Sequence, residues 1–229
     1  MAFQGRRVHV GPHEWLSNGA ATDYWFVAGA SDEIVAASST NPSGLDGWGW
    51  IVTSISSGAD GNGNFNSSTA TGPFVAAFSA SGSILWSPQI FGDYSNFQRV
   101  AGVLGYSPTT LICEIRFRFT TASANEPQTF IGFNRSTVSA TDTASAGCFY
   151  SDGTSFRFGS PTGTLSGSAI NLTWHTGRIE VTSTTTSAYI DGVSLGSLNT
   201  STGNWPTTFQ GRTSTTNRMY LAWVHIWYQ

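Results

Sequence analysis

In Leu111-Ile112-Cys113-Glu114-Ile115-Arg116-Phe117-Arg118-Phe119 one carboxylate and two guanidinium groups stand at alternate positions. On a strand they share a face. Glycoside hydrolysis needs two carboxylates roughly 5–10 Å apart across one cleft. Glu114 has no acid two residues away, so that chemistry is not expected of it. Opposite charges on neighbouring strands instead form ion-pair ladders. That is the expected role of Glu114, Arg116 and Arg118.

Trp48 and Trp50 flank Gly49 in GWGWIVT and share a face. Exposed, they would stack on sugar rings; buried, they would be core or subunit interface. They are the candidate carbohydrate-binding residues. Asp60, Asn62 and Asn64 have the D-x-N-x-N spacing that can wrap calcium. An EF-hand loop needs Gly at position six and Glu at position twelve. Phe65 and Thr71 stand there, so a plain Gly/Asn loop without metal is expected. His9, His13, His175 and His225 are too scattered for zinc; the last two read as packed or capping histidines. No cofactor is expected. No nucleophile–base–acid set, phosphate loop or thiolate site can be argued, and the chain is expected not to be an enzyme.

The segment MAFQGRRVHVGPHEWLSNG is broken by Gly5, Gly11, Pro12 and Gly19, yet carries Phe3, Val8, Val10, Trp15 and Leu16. A free tail is usually more polar. Residues 1–22 are therefore expected to form an extended arm that docks on a neighbouring subunit or shell protein. Phe3 and Trp15 would supply the apolar contacts, and Arg6 and Arg7 bidentate bonds to carboxylates. The other reading is that the arm is the first edge strand of its own sandwich.

These groups must be positioned by strands. Charged residues make up only 10% of the 229, against roughly 25% in ordinary soluble domains. Fifteen Phe, nine Trp and seven Tyr suffice for a core. LICEIRFRF alternates with period two, as does the C-terminal MYLAWVHIWYQ. The latter is apolar on both faces and reads as a central strand covered on both sides. Further strands are expected in DYWFVAG, GWGWIVTSI, GPFVAAFSA, TFIGFN, AGCFYSD, SFRFGS, GRIEVTS and SAYIDG. PTGTLSG reads as a turn cluster, and ASDEIVAASS allows at most one helical turn. Asp152-Gly153 and Asp191-Gly192 suit two-residue hairpin turns, which need positive φ at both positions. The expected fold is all-β: an antiparallel jelly-roll sandwich of two sheets, one domain over residues 23–229.

No lysine occurs, the net charge is −3, and no basic stripe is visible, so no nucleic-acid partner is expected. No apolar run approaches the roughly 18 residues of a membrane helix. The N-terminus shows no apolar signal-peptide core. Synthesis in a cytosol is the expectation, with Cys113 and Cys148 reduced and packed. The sequons at Asn66, Asn134, Asn171 and Asn199 then reflect only abundant Ser and Thr.

Trp174-His175, Arg178-Ile179-Glu180-Val181, Ala188-Tyr189-Ile190-Asp191-Gly192, Val193-x-Leu195-Gly196, Trp205-Pro206 and Tyr220 to Trp227 together resemble the concanavalin A-like superfamily, in its laminin-G-like and pentraxin-like branches. The resemblance covers roughly the last 60 residues. It implies a Trp-headed strand that hairpins into a Y-x-D-G strand, with Trp174 and Tyr189 filling the core. The family's hydrolases carry E-x-D-x-E, and its lyases Arg, Gln-x-His and Tyr with a Lys nearby. The first string is absent; CEIRFR faintly resembles a lyase strand but lacks the rest.

A chain rich in Ser, Thr and Gly also resembles bacteriophage virion proteins in style. That implies a non-enzymatic head decoration or fibre-type surface protein, localised to the virion, contacting itself as a homo-oligomer and a capsid or other virion protein. The alternative is a carbohydrate-binding module that recognises a polysaccharide.

Overall fold

A computed structural model of the chain describes residues 7–10, 13–16, 21–27, 34–36, 50–53, 76–78, 84–86, 105–119, 130–134, 145–160, 162–200, 208–212 and 219–229. All their regular structure is strand. The strands are β1 (Arg7–Val10), β2 (His13–Leu16), β3 (Ala21–Val27), β4 (Ile34–Ala36), β5 (Trp50–Thr53), β6 (Ala76–Phe78) and β7 (Ile84–Trp86). Then come β8 (Leu111–Phe119), β9 (Phe130–Asn134), β10 (Ser145–Ser151), β11 (Ser155–Ser160) and β12 (Gly163–Ala169). The last five are β13 (His175–Val181), β14 (Thr185–Ile190), β15 (Val193–Asn199), β16 (Thr208–Arg212) and β17 (Met219–Tyr228).

They form two sheets. The first has the order β1-β2-β3-β17-β8-β13-β14-β15, with β6 also on β17; the second is β12-β11-β10-β9-β16-β7-β5-β4. This is the expected jelly-roll sandwich, antiparallel throughout except for the parallel pair β4–β5. No helix among the described residues is long and apolar enough to cross a membrane.

The period-two pattern in β8 sorts as read: Leu111, Cys113, Ile115, Phe117 and Phe119 are buried, whereas Glu114, Arg116 and Arg118 are half-buried. Phe117 stacks on Phe149 of β10 at 5.8 Å and 23°, and meets the edge of Phe156 of β11 at 6.5 Å. Aromatic pairs in these geometries add to the burial of each ring. Cys113 and Cys148 are both buried, one in each sheet. Burial first, and the neighbouring Glu114 second, push the Cys113 thiol pKa well up.

Several sequence expectations are corrected. Trp174 and Tyr189 do not fill the core; both are half-buried. The inward positions of the hairpin are His175, Ile179 and Val181 on β13, and Thr186, Ala188 and Ile190 on β14. The parity set by Ile179 and Val181 turns Arg178, Glu180 and their neighbour Tyr189 outward, and parity outranks the preference of a large ring for burial. Asp191 (φ 50°) and Gly192 (φ 79°) do form the two-residue turn with two positive angles. At Asp152-Gly153 only the glycine is left-handed, at φ 93°. Asp152 accepts instead from the amides of Ser155 and Thr154 and pairs with Arg157; these bonds hold its carboxyl well below the usual range.

The other corrections concern strands. Gly163–Ala169, overlapping the expected turn cluster PTGTLSG, is strand β12, and Ile34–Ala36 is strand β4 rather than a helical turn. In the C-terminal strand a bulge at Ala222, between the pairs Leu221↔Phe117 and Trp223↔Arg116, flips the parity. Met219 and Leu221 point inward, and so do Val224, Ile226 and Tyr228. Trp223, His225 and Trp227 then lie half-buried on the other face. The strand is central, between β3 and β8, but its outer face is not fully covered.

Candidate recognition face

The outer face of the first sheet gathers the chemistry that β8, β13, β14 and β17 carry. Register aligns His225, Glu114, Arg178, Tyr189 and Ser194 in one row across five strands. The flanking rows hold Trp227, Ile112, Glu180 and Ser187 on one side, and Trp223, Arg116 and Thr176 on the other. Arg178 is the centre. Its Nη1 donates to Glu114 Oε1 at 2.9 Å and its Nε to Glu180 Oε1 at 2.7 Å. Burial works against the cation, but the bonds to Glu180 and Glu114 outweigh it and raise the guanidinium pKa above its ordinary value. Tyr189 donates its hydroxyl to Glu180 Oε2 at 3.4 Å.

The expected ladder on Glu114 is therefore present, but it runs through Arg178, with Arg116 donating to Thr176 Oγ1 at 3.1 Å. Sequence reading missed that β13 brings Glu180 to the same guanidinium as Glu114. The signal was available: Arg178 and Glu180 alternate in RIEV as Glu114 and Arg116 do in CEIR.

Aromatic rings complete the face. His225 stacks on Trp227 with centroids 4.2 Å apart and planes 22° apart, and the Arg178 guanidinium lies 5.8 Å from the centroid of the same Trp227 ring. The Arg118 guanidinium sits over Trp174 at 5.4 Å. Half-exposed rings held by neighbouring cations present a flat apolar surface beside hydrogen-bonding groups.

A second cluster lies on the inward side, where β13 begins. His175 has Nδ1 2.6 Å from Asp191 Oδ2, and Nε2 2.8 Å from Asn171 Oδ1 and 3.3 Å from Thr173 Oγ1. Hydroxyl, imidazole and carboxylate thus have the order of a nucleophilic relay. They do not work as one. The Thr173 hydroxyl donates to Asn171 Oδ1, and the ring faces that oxygen more closely than it faces Thr173. A general base needs a lone pair aimed at the nucleophile's proton.

The candidate residues named from sequence that the structure describes lie on other strands. Trp50 lies in β5 of the second sheet, away from this face. Trp48 and the calcium candidates Asp60, Asn62 and Asn64 lie outside the described residues. Of the arm, Arg7 opens β1 and Trp15 lies in β2, whereas Phe3 and Arg6 lie outside the described residues. β1 pairs with β2, and β2 joins β3 through Glu14↔Asp23 and Trp15↔Ala21, so this segment extends the edge of the first sheet. The expected boundary at residue 22 falls inside β3. Among the described residues, no three His, Cys, Asp or Glu side chains are grouped to hold a metal.

No protein-family model matches the chain, and neither does any curated protein sequence. Among solved structures it is similar to the alginate lyase AlgAT5 of polysaccharide lyase family 7, at 11% identity and TM-score 0.47, over 75% of this chain and 81% of that one. It is similar to the binding domain of botulinum neurotoxin DC in complex with rat synaptotagmin II, at 14% identity and TM-score 0.47, over 80% of this chain and 44% of that one. A sialidase matches at 7% identity and TM-score 0.46 over 77% of this chain, which spans 16% of the sialidase. None of these likenesses assigns a ligand or a reaction to the chain.

Proposed function

We propose that the chain is a non-enzymatic recognition module that binds a polysaccharide on the outer face of its first sheet. The observation that carries the reading is Trp227, half-buried, with the His225 ring stacked on it and the Arg178 guanidinium 5.8 Å from its centroid. An indole already fixed by its neighbours loses little freedom when a sugar ring packs against the part they leave open. Glu114, Glu180, Arg178 and Tyr189 surround it with donors and acceptors for hydroxyl groups. Affinity electrophoresis against a panel of polysaccharides tests this. Trp227→Ala is expected to weaken binding about tenfold or more, as loss of a central aromatic contact does. A panel that yields no binder, or a variant that binds as well as the parent, refutes the reading.

The setting we assign is the surface of a bacteriophage virion, as a head decoration or fibre-type component. A composition of about a quarter Ser and Thr, with abundant Gly, supports it. Contact with copies of itself and with a capsid or other virion protein would run through residues 1–22. The β1–β2 hairpin sits at the sheet edge, tied to β3 by a short register. Deleting residues 1–16 is expected to leave a folded sandwich with β3 as the new edge that no longer assembles. Sedimentation velocity and circular dichroism read the two properties separately; an unfolded product, or an unchanged mass, defeats the docking role.

A further inference from the structure

We propose that His175 is an acid-set latch: a doubly protonated ring that ties the 170–174 loop to the Asp191-Gly192 turn, fixes Trp174 at the end of the recognition face, and lets go when it loses a proton. The protonation state follows from its partners. The Thr173 amide donates to Asn171 Oδ1 at 3.0 Å, so the oxygen of that amide, not its NH2, faces the cluster. The same oxygen lies 2.8 Å from Nε2. An oxygen that accepts from an N–H can only accept from the ring, so Nε2 carries a proton.

On the other side, the Asp191 carboxylate receives the Thr176 amide on Oδ1 at 2.8 Å and faces Nδ1 with Oδ2 at 2.6 Å. Burial acts against the Asp191 anion, but the Thr176 amide and the His175 ring outweigh it and hold its carboxyl below the ordinary value. Nδ1 must donate too. A ring that donates from both nitrogens is an imidazolium.

The surroundings leave the proton few alternatives. The His175 side chain is only 6% exposed. Phe156 of β11 meets the ring edge-on at 4.6 Å, and Phe117 of β8 is its register partner. The loop offers only neutral Asn171 and Thr173. Among the described residues, Asp191 is the acid facing the ring; Arg116 of β8 bears on Asp191 and donates to Thr176. If either ring proton leaves, two lone pairs confront each other in a buried site, a costly arrangement.

The latch is therefore closed while both ring nitrogens hold their protons and opens when one of them is lost. Asp191, kept ionised below its ordinary range, keeps it closed well into acid. Loop and turn part together, because His175 is bonded to both, and Trp174 lies between His175 and the rest of that loop. This device operates whatever ligand the face receives.

Histidine labelled with 15N in the full chain tests it. Both ring nitrogens of His175 are expected to be protonated at neutral pH. On raising the pH, loss of one proton should shift the Trp174 indole signal and speed exchange of the Asp191 amide about tenfold beyond the rise that hydroxide catalysis alone brings. Asn171 is exposed, so Asn171→Ala should fold. In that variant the Trp174 signal is expected at its alkaline position already at neutral pH. A neutral tautomer at neutral pH, a titration that leaves Trp174 and Asp191 unmoved, or a parent-like Trp174 signal in Asn171→Ala overturns the latch.

Discussion

Replacing Gly132 with alanine is expected to lower stability by about 2–6 kcal/mol, the sum of overpacking and a strained backbone. Gly132 in β9 has φ +152°, an angle that side chains rarely accept. A Cβ built there would stand 2.4 Å from the Gly147 carbonyl oxygen and 2.6 Å from Cys148 Cα. Both neighbours are backbone in β10, so no rotamer change relieves the clash. Gly147 lies at the bulge where β10 shifts register against β9, with φ +148°. Gly132 thus lets β9 approach the β10 backbone in the middle of the second sheet. Domains are stable by only about 5–15 kcal/mol, so the variant should melt far below the parent or fail to fold. Thermal denaturation followed by circular dichroism checks this; a melting temperature within a few degrees of the parent's would contradict it. Gly192→Ala in the exposed turn, where a Cβ meets nothing within 4 Å, is the control for conformational strain alone.

The contrast between Gly132 and Gly192 bears on what the sequence makes legible. Asp191-Gly192 is a local signal: the dipeptide, its φ requirement and its flanking strands are all read within a few residues. Gly132 carries no such signal. Its need arises from Gly147, fifteen residues away and across a register shift. The same division runs through the candidate face. Alternation in LICEIRFRF correctly separates Cys113, Ile115 and Phe117 from Glu114, Arg116 and Arg118, because one-sided burial is a local pattern. That Glu114 and Glu180 share Arg178 is a pairing between β8 and β13, which no window of sequence contains.

The C-terminal strand shows the limit most clearly. Strict alternation places Met219, Leu221, Trp223, His225 and Trp227 on one face. The bulge at Ala222 divides that set, burying the first two and presenting the other three outward. A bulge adds one residue and flips all that follows. MYLAWVHIWYQ is apolar at nearly every position, so its composition tolerates either parity and does not reveal the switch. Trp223, His225 and Trp227 reach the candidate face because of that single extra residue.

Phe117→Ala is expected to cost about 3–5 kcal/mol, whereas Trp174→Ala, the larger ring, is expected to cost far less. Phe117 is fully buried at the meeting of the two sheets. It touches Phe119 edge-on at 5.4 Å, Phe149 at 5.8 Å and Phe156 at 6.5 Å, so its removal opens a cavity bounded by rings from three strands. Those rings cannot collapse freely. Phe149 also packs on Phe158 at 5.2 Å, and Phe156 on His175 at 4.6 Å. Trp174 heads β13 one position before the inward parity begins, and its contact with Arg118 is a half-exposed cation–π pair worth about 0.5–1 kcal/mol. Its loss leaves solvent-accessible space rather than a void. Chemical denaturation of the two variants under identical conditions compares them directly. Should Trp174→Ala prove as damaging as Phe117→Ala, Trp174 would be acting as core, and the outward parity that builds the recognition face would be wrong.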